Sequence, residues 1–227
     1  MSNPLDRPVW NALTGRQAHL AVAGGAAVRI DPGYGLFAAL RDASEDSLAA
    51  LRATLQGADD FVGLVEIEPP VVAAGFAVLR EAELVQMVWQ GGDLPPITDD
   101  RIVLLAESDA AAMAEIAHAT EPGPWGPATH RYGNFFGIRD GAQLAAMAGE
   151  RLLLRGWAEV SGVCTWPEYR GRGYAEALMR RVMHGFQARG DRPFLHCYGH
   201  NTGAIRLYEK MGFVIRARLT LLVLALA

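Results

Sequence analysis

Lysine is almost missing from this chain: Lys210 is the only one, so the other 20 of its 21 basic residues are arginine. With the abundance of alanine, that skew reads as a composition bias of the genome and marks no site. A net positive field is missing as well. The formal net charge is −4 and the isoelectric point ≈ 5.9, which makes a nucleic-acid backbone a poor expected partner. Cysteine is scarce: Cys164 and Cys197 sit in apolar segments, with no CxxC and no Cys/His cluster at metal spacing, so no metal is expected and a reduced setting fits. Long apolar runs are also lacking. The stretch from Leu219 to Ala227 is too short to span a bilayer and contains Thr220, and MSNPLDRPVW has no basic region followed by an apolar one. A soluble, cytoplasmic protein is expected, with no membrane partner. Disorder is excluded, because 227 residues at 51% hydrophobic can bury a full core.

What is present falls into two parts, separated where glycine, proline and aspartate interrupt the apolar periodicity between Gly91 and Asp100. Residues 1–95 read as a small mixed α/β domain. Its expected elements are helices over Val9 to Ala21, Ser44 to Leu55 and Val71 to Leu79, and strands over Ala26 to Ile30, Leu36 to Leu40, Phe61 to Glu66 and Leu84 to Trp89. Residues 96–227 are more legible. After a strand at Arg101 to Leu105, Ser108 is expected to cap a helix reaching Ala119. The loop Glu121 to Pro127 (EPGPWGP) excludes regular structure and suits the lining of a pocket, which makes Glu121 and Trp125 candidates for substrate contact. Asp140-Gly141 predicts a hairpin between Phe135 to Arg139 and Gln143 to Glu150. A strand over Gly156 to Thr165 then leads into a glycine-rich turn. Beyond it, Ala175, Leu178, Met179, Val182, Met183 and Phe186 recur at helical spacing up to Gly190. A strand at Phe194 to Tyr198, a helix capped by Asn201 and closed at Gly212, and a long strand from Phe213 to Val223 complete the chain.

The turn Arg170-Gly171-Arg172-Gly173-Tyr174-Ala175 joins a strand to a helix. Its glycines let backbone approach an anion, the helix start presents unpaired N–H groups with a partial positive charge, and two arginines can reach phosphate oxygens. A pyrophosphate fits there. On its own, a ligand-free tight connection is an equal reading of so short a motif.

Two stretches together, VCTWPEYRGRGYA (Val163 to Ala175) and NTGAIRLYEKMGF (Asn201 to Phe213), resemble the GNAT superfamily of acyl-CoA-dependent N-acyltransferases. The resemblance covers roughly Pro96 to Ala227 and implies an α/β fold with a mixed sheet, preceded here by a smaller domain that is a candidate degenerate copy. It also implies acetyl-CoA as co-substrate. Backbone of Val163, Cys164 and Thr165 would hold the pantetheine arm at an edge opened by two splaying strands, and Arg170 to Ala175 would hold the pyrophosphate. Asn201 would face the cofactor arm, while Tyr208 would protonate the departing thiolate, a role suited to a phenol of pKa about 10. Each has a plainer reading: Asn201 as a helix cap, Tyr208 as a packing residue, Cys164 as an inert buried thiol in place of a nucleophile. For the amine's proton the candidates are Glu159, Glu121 or a water chain, with His130, His196 and His200 as further options. Glu159 is placed first because the resemblance puts a carboxylate on that strand.

The expected activity is therefore N-acetylation of a primary amine, on a small molecule, peptide or protein, by direct attack. A CoA-binding regulatory or interaction protein without turnover, or an enzyme using a longer acyl-CoA, are the alternatives. The first domain, which lacks the glycine-rich turn, would shape the acceptor pocket, mediate homodimer contacts or survive as a relic, without a second active site.

Overall fold

A computed structural model describes residues 3–57, 59–68, 72 and 75–227. Its first half contains α1 (Pro8–Leu13), β1 (Ala21–Ala23), β2 (Ala27–Ile30), β3 (Phe37–Leu40), α2 (Glu45–Ala53), β4 (Phe61–Glu66) and β5 (Phe76–Trp89). The second half contains β6 (Ile102–Leu104), α3 (Ala110–Thr120), β7 (Phe135–Asp140), β8 (Gln143–Leu154), β9 (Trp157–Thr165), α4 (Tyr174–Ala188), β10 (Arg192–Tyr198), α5 (Thr202–Lys210) and β11 (Phe213–Leu226). The mixed α/β class expected from the sequence is what the structure shows.

All the strands join one mixed sheet in the order β1-β2-β3-β4-β11-β5-β10-β9-β8-β7-β6. The order is nearly a mirror about its centre. In each half a parallel pair is bridged by a helix, β3-α2-β4 and β9-α4-β10, with antiparallel strands continuing outward. At the centre the halves exchange strands. β11 lies between β4 and β5, and β5 lies between β11 and β10, so each half completes the other's sheet. The β5–β11 register runs from Trp89↔Phe213 to Phe76↔Leu226. Since a slip of one residue would turn every side chain to the wrong face, that long pairing fixes how the halves meet.

Helix α4 forms where the apolar spacing foretold it. Leu178, Met179, Val182, Met183 and Phe186 are fully buried against Phe136, Val160 and Leu195, each side chain contributing roughly 1.5–3 kcal/mol. On the opposite face, Val9 and Leu13 of α1 pack with Leu84, Leu152 and Leu221.

Several expected elements differ. The helix from Val9 stops at Leu13, because Thr14-Gly15 ends it, and Ala21 belongs to strand β1. Ser108 is no cap: it sits in a 3-10 turn closed by Asp109, whose carboxylate accepts from the Ala106 N–H at 2.7 Å. The helix expected over Val71 to Leu79 is strand from Phe76 onward, since pairing with β11 decides its conformation; residues 71, 73 and 74 of that expectation lie outside the described residues. Among the described residues no helix is long and apolar enough to cross a membrane.

Candidate active site

Strands β9 and β10 pair at Trp157↔Arg192, Ala158↔Pro193 and Glu159↔Phe194, and then part. Beyond that point β10 continues on β5 as far as Tyr198↔Leu84, while β9 keeps β8 as its neighbour. Val160 to Thr165 thus present a free strand edge in the middle of the sheet. The parting coincides with a bulge: Met147 opposes Cys164 and Gly149 opposes Ser161, leaving Gly162 and Val163 against Ala148 alone. Gly162 takes φ +59°, and a Cβ there would come within 2.8 Å of the Phe135 ring. The bulge reverses the facing of the strand, so Ala158, Val160 and Val163 all pack toward α4 while Cys164 turns to α3.

The glycine-rich turn follows. Gly171 and Gly173 both have φ +76°, and added Cβ atoms would meet nothing within 4 Å, so the turn faces open space. Gly173 precedes α4 with no side-chain cap, and the first helical N–H to find a backbone acceptor is that of Ala177, on the Gly173 carbonyl at 3.1 Å. Donors earlier in the turn remain for an anion. Arg170 and Arg172 are exposed; they donate to the carbonyls of Thr165 (3.3 Å) and Glu168 (3.2 Å), which folds the turn back onto the end of β9. Among the described residues Thr165 Oγ1 is buried without a hydrogen-bond partner.

One cluster gathers Val163, Tyr174, Cys197 and Tyr208. Tyr208 is 8% exposed and packs edge-on to Phe213 at 6.2 Å. Burial pushes its phenol far above the ordinary value, with Cys197 and Cys164 adding to the effect, so it stays protonated. Among the described residues its hydroxyl makes no hydrogen bond. Asn201 does cap α5, accepting from Ala204 N at 3.1 Å through Oδ1, which leaves its amide N–H groups unspent. Burial raises the Cys164 thiol to about 12, as expected for an inert cysteine.

Glu159, the first candidate for the amine's proton, is held by partners on every side. It is completely buried, and both carboxylate oxygens are used: Arg151 donates from Nε at 2.8 Å and from Nη2 at 2.6 Å, His196 Nδ1 lies at 2.7 Å, and the Leu152 N–H at 3.3 Å. Burial alone would raise its pKa, but Arg151 and His196 together outweigh that and hold it at about 2. Arg151 and His196 thus occupy both oxygens of the carboxylate. His196 is spent as well, since its Nε2 lies 3.0 Å from Gln86 Nε2. Arg216 donates to Gln86 Oε1 at 2.7 Å and pairs with Asp6, which fixes the amide so that it donates to the imidazole. The line Arg151, Glu159, His196, Gln86, Arg216, Asp6 crosses the sheet between the halves. The sequence signal for it was a glutamine, Gln86, amid the apolar positions of β5.

Glu121 stands apart from the cavities near it. It ends α3 in a left-handed conformation (φ 46°) and is exposed, outside both cavities beneath its loop. Trp125 does line one of them, edge-on to Phe135 at 5.5 Å. A cavity of ≈ 280 Å³ runs from Trp125 past Arg151 to Ser161 and Gly162, and a second of ≈ 450 Å³ extends from the same Pro122 to Pro124 roof and Arg151 to His196, Cys197 and Tyr198. Residues of the first half that sequence reasoning did not single out, Val9, Phe37, Val65 and Leu84, form much of the larger wall. Among the described residues no group of three His, Cys, Asp or Glu side chains is placed to hold a metal ion.

The first half has a comparable notch. β3 and β4 pair only at Phe37↔Gly63 and Ala38↔Leu64, and a cavity of ≈ 470 Å³ opens beyond. Here Arg7 fills the edge, donating to the carbonyls of Arg41 (2.8 Å) and Leu40 and pairing with Glu66 at 3.4 Å. In place of the glycine-rich turn stands Asp42, bonded to Ser44 and Ser47, with Glu45 and Asp46 in the first turn of α2. This end of the helix already holds negative charge, which opposes a phosphate.

Over residues 135–221 the chain matches the family model described as FR47-like protein. No curated protein matches it. A GNAT-family protein from Novosphingobium aromaticivorans, named as an acetyltransferase, has a crystal structure that is 50% identical over 100% of both chains, with a TM-score of 0.93. The fold is shared with a GCN5-related N-acetyltransferase from Kribbella flavida (19% identity, 96% and 92% of the two chains, TM-score 0.60) and a GCN5-related N-acetyltransferase-like protein from Streptococcus suis (16%, 96% and 92%, 0.58). With half of all positions identical along the full length of one GNAT protein, this chain belongs to the GNAT family of acetyltransferases.

Proposed function

We propose that the chain moves an acetyl group from acetyl-CoA to a primary amine by direct attack. The observation that carries this reading is the free edge of β9 from Val160 to Thr165, which leads straight into an open anion cradle at Arg170 to Ala175. Acetyl-CoA supplies an activated acyl group on a good leaving thiolate. Backbone of Val163, Cys164 and Thr165 holds the pantetheine arm as an added strand, Gly171, Gly173 and the start of α4 bind the pyrophosphate with Arg170 and Arg172, and Asn201 faces the arm. The amine nitrogen attacks the carbonyl carbon, the carbon–sulfur bond breaks, and Tyr208 gives its proton to the thiolate. The amine's proton leaves to water, and Tyr208 regains one from solvent. Glu159 takes no proton; it holds Arg151 and His196 in place. Positioning supplies most of the acceleration, with backbone N–H donors near the thioester carbonyl adding to it.

Titration of acetyl-CoA by calorimetry, followed by thiol release across an amine panel, tests the reading. One site with amine-dependent release of CoA is expected. Binding without release by any amine would leave a CoA-binding protein, and preference for longer acyl-CoAs would replace the donor.

A further inference from the structure

The two cavities under the Pro122 to Pro124 roof meet at Arg151 and reach both sides of the parting: Ser161 and Gly162 on β9, Cys197 and Tyr198 on β10. The larger lies on the face opposite α4, since Leu84, Leu152 and Leu221 of its wall belong to the core packed on α1, and the smaller shares its Pro122 to Pro124 roof. A ligand on that face can meet an acyl group held at the β9 edge without crossing the sheet. Resting on the acetyl-transfer reading, we infer that this cleft binds the acceptor, and that the acceptor is a primary amine on an aromatic or branched aliphatic body with no second charge.

The lining decides the class. Val9, Phe37, Val65, Leu84, Leu152 and Leu221 make the larger cavity mainly apolar, the lining usual for small-ligand pockets. The charged groups at hand are already answered. Arg151 is neutralised by Glu159 and covers the Phe37 ring at 5.0 Å. Glu150, in the smaller cavity, pairs with Arg189 at 2.8 Å and accepts from Asn134. His196 is engaged at both ring nitrogens. No acid on these walls is left for the second ammonium of a polyamine, and no cation for the carboxylate of a free amino acid. Burying either charge unpaired is strongly unfavourable. The first half of the chain therefore acts in substrate choice: Val9, Phe37, Val65 and Leu84 all come from it.

The test uses the full chain saturated with acetyl-CoA. Release of CoA is measured with 2-phenylethylamine, isoamylamine, spermidine and free phenylalanine, and each amine is separately titrated against the tryptophan fluorescence of the loaded protein, with Trp125 in the cleft wall as reporter. The expected result is a kcat/KM for the two apolar amines at least about 100-fold above those for spermidine and phenylalanine, because each of the latter brings a second charge that the walls leave unpaired. Comparable or better turnover of spermidine or phenylalanine overturns the inference. If no amine releases CoA, the acetyl-transfer reading fails, and fluorescence still decides the cleft. Tighter binding of phenylethylamine than of spermidine supports an apolar-amine site, whereas equal or absent binding removes it.

Discussion

Arg151 on β8 and Glu159 on β9 form a two-pronged pair inside the sheet, Nε to Oε2 at 2.8 Å and Nη2 to Oε1 at 2.6 Å, with neither side chain more than 12% exposed. Such a pair contributes little beyond what apolar packing would, yet removing one partner strands the other. Replacing Glu159 by Gln is expected to lower unfolding free energy by about 3–5 kcal/mol, read from urea melts.

The same pair sets an acid limit. Glu159 has its pKa depressed to about 2 in the folded chain, against an ordinary 4.5. Its contribution is therefore complete above pH 4.5 and is lost as the pH falls toward 2, because the unfolded chain binds the proton first. Melts of wild type should lose stability across that window, and melts of the Gln variant should be flatter there.

Tyr208→Phe separates acid from packing. Turnover is expected to fall by about 10²–10⁴-fold, the usual worth of a placed proton donor, with acetyl-CoA affinity by calorimetry changed less than about twofold. Equal turnover by the Phe variant would remove Tyr208 from the chemistry.

Gly173 has φ +76° and faces open space. A Gly173→Val change should cost about 1–3 kcal/mol of stability through backbone strain. Its side chain would also occupy the cradle, so acetyl-CoA binding should weaken far more than stability does.

In the first half, Arg7 occupies the notch between β3 and β4, and acids surround the start of α2. Calorimetry should give one acetyl-CoA per chain for wild type and for Arg7→Ala. A second site in the variant would mean that Arg7 alone, and not the negative charge at α2, excludes the nucleotide.

What the sequence determined by itself was local. The glycine turn, the Asn201 cap, the hairpin near Gly141 and the α4 stripe each depend on residues a few positions apart, so their spacing carries the information, and the resemblance at Val163 to Ala175 and Asn201 to Phe213 rested on such segments. Tertiary structure decided the rest. Phe76 to Leu79 became strand because β11, far along the chain, pairs with it, and no local pattern encodes that partner. Strand position alone does not reveal that Arg151 and His196 converge on Glu159. The apolar cleft and the plugging of the first notch by Arg7 arise in the same way, from groups joined only when the two halves exchange strands and share one sheet.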